Sequence, residues 1–301
     1  MSDVPSELQG FTVVNLGSGG DAAFPLPRWA GPGSTIVELD AADSPGVSDS
    51  AFERRVTLTE VVAGSEGTGT FTTRAFVSVS GLLEPKPELV AKYGVQREYV
   101  VVDRARVTTR TLAALLAQQG VTHVDLLKTD LEGLDLDVLM SCGGLLDDAL
   151  CIRCELRIEP FYEGEPKLHD ALAALDERGF DLQSMITETW QPAAPHRERL
   201  VVRHDGQTVW GDCILLKRLA PDDVAGHARQ VVLLSGLAQR SVAGWILGTI
   251  AERVPSRWHE LLTPLVTPPP SVSRPRRVLR AARHRARELR AARQRRSSAS
   301  G

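Results

Sequence analysis

The 301-residue chain is 43% hydrophobic and 24% charged, which suits a large folded core. Its net charge of −3 hides a polarity: eleven arginines against Glu288 give Arg274–Arg296 a charge of +10 and leave −13 on the rest. Four irregularly spaced cysteines make no disulfide framework, no basic-then-apolar leader opens the chain and no apolar run has bilayer length, so a soluble protein of a reducing cytoplasm is expected.

In chain order, Phe11 to Leu16 predicts a buried strand, and Gly17-Ser18-Gly19-Gly20-Asp21 a tight turn that lets backbone approach a ligand closely. Ser34 to Asp40 predicts a second strand. Its Glu38 stands 23 residues after Asn15, where an acid is placed to accept hydrogen bonds from ribose hydroxyls. Pro25 and Pro27 interrupt the helix expected between the two strands. Val56 to Ala63 predicts a third strand, Gly69 to Val77 a short hairpin strand, and residues 80–97, with Pro85 and Pro87, a polar lid. Thr111 is an N-cap for a helix over 112–119 that Gly120 closes.

The stretch His123 to Asp135 is the organising one. Val124 to Leu127 reads as a buried parallel strand, and the chain then turns charged at Lys128, Asp130 and Glu132 before Gly133. Carboxylates at the carboxyl end of such a strand lie where open α/β sheets hold ligands. Leu136, Leu139 and Met140 predict a helix that packs back on the sheet. Ala149 to Leu156 follows as a strand carrying Glu155, Pro166 to Arg178 as a helix stopped by Gly179, and Phe180 to Met185 as the start of another strand. Glu198–Arg203 and Val209–Lys217 flank a His204-Asp205-Gly206 turn and predict a closing antiparallel hairpin. Two or three helices are expected between Pro221 and Leu265, before Pro268-Pro269-Pro270 and the arginine-rich tail.

Lys128-Thr129-Asp130-Leu131-Glu132-Gly133, an acidic residue and Val138-Leu139 resemble the signature of the FkbM-family methyltransferases, over about residues 11 to 218. The resemblance implies an α/β, Rossmann-like class I methyltransferase fold: a mostly parallel doubly wound sheet closed by an antiparallel hairpin, here with a C-terminal helical extension. It divides the chain into a catalytic domain at 1–219, the extension at 220–266 and a basic tail at 267–301. It implies S-adenosylmethionine (SAM) as cofactor, with Asn15, Gly17, Gly19, Glu38, Val62 and Asp130 around it, Val62 and Ala63 near the adenine. It implies methylation of a hydroxyl on a sugar or secondary metabolite. Asp130, Glu132, Glu155 and Lys128 are the candidate catalytic residues, Asp130 to orient, Glu132 and Glu155 as base or hydroxyl ligands, and Lys128 to keep an acid ionised. Three positions depart from the family: Asn15 replaces Asp, Asp21 replaces the last glycine and Asp135 replaces Glu.

Asn15, Asp21 and the prolines at 25 and 27 favour a second class of function, a degenerate methyltransferase fold that binds partners through its helices and tail. The intact 128–133 run with Glu38 favours the enzyme. A nucleic-acid methyltransferase fits less well, because the body is acidic and the tail lacks aromatic residues for base stacking. For the tail two readings stand, a solvated, partly helical segment and a contact with an anionic surface through residues 274–296. Nothing specifies a metal: Cys151 and Cys154 have zinc-like spacing, but positions three apart on a strand face opposite ways. His123, His169, His196 and His204 lack nucleophile partners, and neither the acceptor nor the oligomeric state is legible.

Overall fold

The computed structural model describes residues 4–17, 25–39, 51–190 and 207–267. Strands β1 (Thr12–Leu16) and β2 (Thr35–Leu39) are buried on both faces, and β3 (Arg54–Leu58) is more exposed. After β3 the predicted run 56–63 breaks at Thr59-Glu60. Its second half, β4 (Val61–Val62), joins β5 (Gly67–Arg74) and β6 (Val101–Arg110) in a small second sheet of order β4-β6-β5. The expected lid holds helix α1 (Pro87–Tyr93), begun by a proline that lends no N–H and closed by Gly94 at φ 69°. Helix α2 (Leu112–Gln118) starts where expected, the Ala114 N–H donating to Thr111 Oγ1 at 3.3 Å.

There follow β7 (Leu126–Thr129), α3 (Asp135–Met140), α4 (Gly144–Asp148), β8 (Cys151–Arg157), α5 (Leu168–Glu177), β9 (Phe180–Trp190) and β10 (Gln207–Lys217), then α6 (Val224–Gly236), α7 (Arg240–Ile250) and α8 (Ser256–Val266). The main sheet has the order β3-β2-β1-β7-β8-β10-β9. Its first five strands run parallel, and β10 is antiparallel to both neighbours, giving the expected Rossmann-like doubly wound arrangement. The closing pair differs from its sequence reading. The partner of β10 is β9, in register from Phe180 opposite Lys217 to Trp190 opposite Gln207. The strand signal at 180–185 runs on because Ile186, Thr187, Thr189 and Trp190 are all strand formers. The predicted segment 198–203 and its turn lie outside the described residues.

Both sheet faces are covered. Val14, Leu16, Val37, Leu127, Ile152 and Cys154 pack against α2–α5. Val13, Ile36, Leu126, Cys151 and Ile214 pack against α6–α8, so Cys151 and Cys154 serve opposite cores. The 219/220 boundary thus separates two layers of one packed structure, and the compact unit runs to Val266. Arg229 of α6 fastens the layer. Its guanidinium donates to Asp125 Oδ1 (2.7 and 3.1 Å) and to the carbonyls of Glu7, Gln9 and Gly10, and lies 4.1 Å from the Phe11 ring centroid. Asp125 is fully buried and also accepts from the Thr12 N–H at 2.8 Å. Burial alone would raise its carboxyl, but the His123 hydrogen bond, the Arg229 charge and the Thr12 amide outweigh burial and hold it below the usual carboxylate range. His123 is therefore structural, and Asp125 raises it above the usual imidazole value.

Candidate active site at the sheet's switch point

The strand order reverses between β1 and β7, and chains leaving both carboxyl ends meet there. Gly17, at φ 66°, makes that meeting possible: a Cβ on it would overlap the Asp130 carbonyl oxygen. The turn after β7 is tight. Glu132 adopts a left-handed φ of 52°, unusual for a side-chain-bearing residue, and Gly133 follows at φ 95°. Asp135 supports the turn, its Oδ2 accepting from the Leu131 N–H at 3.2 Å, and burial lifts its carboxyl to about 7. The strained backbone at Glu132 aims that carboxylate across to β8 and the loop after it.

There the receiving group is Arg157, only 6% exposed. Its Nη2 lies 2.7 Å from Glu132 Oε2 and 2.6 Å from Glu155 Oε1, the latter without hydrogen-bond geometry, and its Nη1 donates to Glu165 Oε1 at 3.1 Å. The Tyr162 hydroxyl donates to Glu132 Oε2 at 2.6 Å, and Arg157 also stacks 4.9 Å from the Tyr162 ring centroid. Glu165 Oε2 in turn accepts from the Phe161 and Tyr162 amides (2.6 and 3.0 Å), which fixes the loop. One cation thus gathers three carboxylates. Burial raises the Glu132 and Glu155 carboxyls above their usual range, Arg157 opposing the shift. Asp130 stands apart from that knot. Its side chain is 40% exposed, Lys128 Nζ lies 4.0 Å away, and burial raises its carboxyl while Lys128 opposes. Burial also lowers Lys128.

A cavity of about 760 Å³ runs along these residues. Gly17, Leu39 and Val62 line one part of it, and Asp130, Glu132, Glu155 and Arg157 another. Phe161, Tyr99, Trp190 and Trp210 form an aromatic wall, the two tryptophan rings edge to face at 4.6 Å. Asp130, Glu132 and Glu155 bring carboxylate oxygens within 4.8 Å of one another, with Arg157 supplying positive charge among them.

The sequence-predicted residues fall into two sets. Gly17, Val62, Asp130, Glu132 and Glu155 meet in the cavity. Asn15, Glu38 and Lys128 do not line it. They sit side by side in register, Asn15 opposite both Glu38 and Lys128, and Glu38 is ion-paired with Arg55 of β3. Asn15 is 2% exposed, and both its amide atoms are without a hydrogen-bond partner among the described residues. Gly19 lies outside the described residues, as do Asp21, His196 and His204. The sequence reading missed Arg157, Tyr162, Trp190 and Trp210. For Arg157 a signal was present: Arg153, Glu155 and Arg157 alternate along one strand, so they share a face.

Residues 43–182 match the methyltransferase FkbM domain. That stretch holds the 128–133 turn, Val62, Glu155 and Arg157, whereas β1 and β2 precede it. No curated protein matches the chain. The match covers the segment that builds the carboxylate end of the cavity, so residues 43–182 are similar to the methyltransferase FkbM domain.

Proposed function

We propose that the chain is a SAM-dependent O-methyltransferase acting on a hydroxyl of a small sugar-like or secondary-metabolite acceptor. The observation that carries this reading is the single cavity running from Gly17, Leu39 and Val62 to Asp130, Glu132, Glu155 and Arg157. The first end fits the cofactor: Gly17 offers a backbone cradle that a side chain would fill, and Asn15 keeps an unpaired buried amide beside it. Gly17 and Val62 would hold the cofactor directly, with Glu38 and Asn15 behind them. When bound, SAM supplies a sulfonium-activated methyl group that needs no further activation from the protein.

The protein's own work is then to place a hydroxyl oxygen and take its proton. Glu132 and Glu155, locked by Arg157 and Tyr162, are fixed acceptors for acceptor hydroxyls. The aromatic wall suits the apolar face of a ring. Asp130 is the least encumbered carboxylate, and burial raises its carboxyl, so it receives the proton as the new C–O bond forms. Lys128 balances its charge.

Calorimetric titration with SAM and with its demethylated product tests the cofactor half. Binding by the wild type, weakened in Glu38→Ala, is expected, and absence of binding at millimolar cofactor would overturn the reading. A screen of hydroxylated acceptors then tests the rest: Asp130→Asn should retain cofactor binding and lose turnover. An amine methylated in place of a hydroxyl would refute the acceptor class.

A further inference from the structure

The carboxylate end of the cavity has already committed its own protons. The Tyr162 hydroxyl donates to Glu132 Oε2 at 2.6 Å, so the 3.2 Å contact between the Tyr99 and Tyr162 hydroxyls takes the proton of Tyr99. Arg157 directs Nη2 to Glu132 and Glu155, and Nη1 to Glu165. What this end offers a ligand is lone pairs, on the Tyr99 oxygen, the other oxygen of Glu132 and the carboxylates of Asp130 and Glu155. Glu155 Oε1 is buried without a hydrogen bond among the described residues. A ligand that satisfies these atoms has to bring the protons itself.

Charge points the same way. The charged side chains that line the cavity are Glu60, Asp130, Glu132 and Glu155 against Arg157, a formal charge of −3. SAM, with one carboxylate against its sulfonium and its ammonium, answers only one of these charges. Burial raises the Glu132 and Glu155 carboxyls, a shift that a ligand cation at hydrogen-bond distance would reverse. A phosphate or carboxylate on the acceptor would instead face the acids with Arg157 already engaged.

The aromatic wall begins at the same place. Trp210 stands directly opposite Arg157 across the β10–β8 ladder, which sets it beside the carboxylate face. The Trp190 ring meets Trp210 at 4.6 Å and Phe161 at 5.9 Å, both at 87°, so the three rings turn a corner rather than forming one flat platform. Such a corner beside carboxylates fits a compact cation, which is drawn to ring faces and donates to the acids.

We propose that the acceptor is a hydroxylated amine bound as its ammonium, an amino sugar being the simplest case, with Glu132 and Glu155 accepting the ammonium protons beside the Trp190 corner. This deepens the methyl-transfer reading of the same cavity and rests on it for the reaction: the ammonium anchors the acceptor, and a neighbouring hydroxyl reaches Asp130.

The test is calorimetric titration of the full chain with glucosamine, glucose and glucuronate, rings of similar size that differ in charge, with and without the demethylated cofactor. At pH 6.5 glucosamine should bind roughly tenfold more tightly than glucose, or better, the worth of one charge-assisted hydrogen bond, and glucuronate should not bind. Glucosamine binding should weaken from pH 6.5 to pH 5, as the carboxylates take up protons, and Glu155→Gln should weaken it roughly tenfold with an unchanged thermal melt. The comparison of the three sugars needs only the wild type, so it decides the matter even where the variant fails to fold. Glucosamine bound no better than glucose, glucuronate bound as well as glucosamine, no glucosamine binding, or an affinity indifferent to pH and to Glu155→Gln would overturn the proposal. Glucosamine binding by a protein that ignores SAM would overturn methyl transfer and uphold the cationic ligand, and SAM binding with glucosamine rejected would do the reverse.

Discussion

Replacing Arg157 with methionine, which keeps an unbranched stem and removes the charge, isolates the cation at the centre of the site. In the native protein one buried guanidinium faces Glu132, Glu155 and Glu165, whose side chains are 14%, 12% and 4% exposed. Breaking a buried ion pair by deleting one partner costs about 3–5 kcal/mol, because the other charge is left uncompensated. Here three carboxylates lose their cation, and they escape part of the cost by binding protons. The loss should therefore depend on pH. Without Arg157 the folded-state values of Glu132 and Glu155, already raised by burial, rise further above the unfolded value of about 4.3. Between those values the native state holds more protons than the unfolded state, so stability falls as pH rises. Denaturant unfolding of wild type and Arg157→Met at pH 5.5 and pH 8 should show a loss of about 3 kcal/mol or more at the higher pH and a smaller loss at the lower. A difference below about 1 kcal/mol, or one independent of pH, would refute the role of Arg157 as the counter-charge of the site.

Two further perturbations probe the frame around that cluster. Gly17→Ala places a methyl group in the Asp130 carbonyl at a left-handed φ, so it should abolish cofactor binding by calorimetry and lower the melting temperature; normal binding would mean that the β1–β7 contact gives way easily. Asp125→Asn removes the charge that holds Arg229 and should cost about 3 kcal/mol in denaturant unfolding. The Asp125 contribution is present above the unfolded carboxyl value and lost as pH falls through its lowered folded value. The His123 contribution is present below about pH 6.5 and lost as pH rises through its raised folded value. The gap between wild type and variant should narrow from pH 6 to pH 8.5, and a widening gap would contradict the His123–Asp125 pairing.

The parts of the fold legible in the sequence were those written in local patterns. Val124 to Leu127 announces a buried strand, Thr111 and Gly120 bracket a helix, and the charged turn at 128–133 reads as a sheet end because each signal is complete within a few residues. The partner of β10 was not legible, since pairing is a long-range choice between two segments of similar strand propensity. Nor was the aromatic wall, whose Tyr99, Phe161, Trp190 and Trp210 come from four separate stretches and meet only through folding. Glu38 shows a different limit. Its spacing from the glycine turn marked it correctly as the acid on β2, but spacing carries no information about Arg55, which pairs with it from the next strand.

The α6–α8 layer follows from the same two-residue period that builds the site. Successive residues on β1, β7 and β8 point to opposite faces, so every side chain given to the α2–α5 core leaves its neighbour to be covered on the other side. Between β1 and β2 the described residues hold only a three-residue 3-10 turn, Arg28–Ala30, with Pro25 and Pro27 before it. Val13, Ile36, Leu126 and Cys151 are covered instead by helices from the far end of the sequence. At the carboxyl ends of the strands the same face turns polar, in the row Glu38, Asn15, Lys128 and Arg153. Arg153 answers to Asp212 of β10 at 2.6 Å, and Glu38 to Arg55. The C-terminal helices thus close the apolar half of this face, and its polar row lies behind the cavity lining rather than in it, so a change in α6 that loosens Arg229 should lower stability and reach the cavity only through β1.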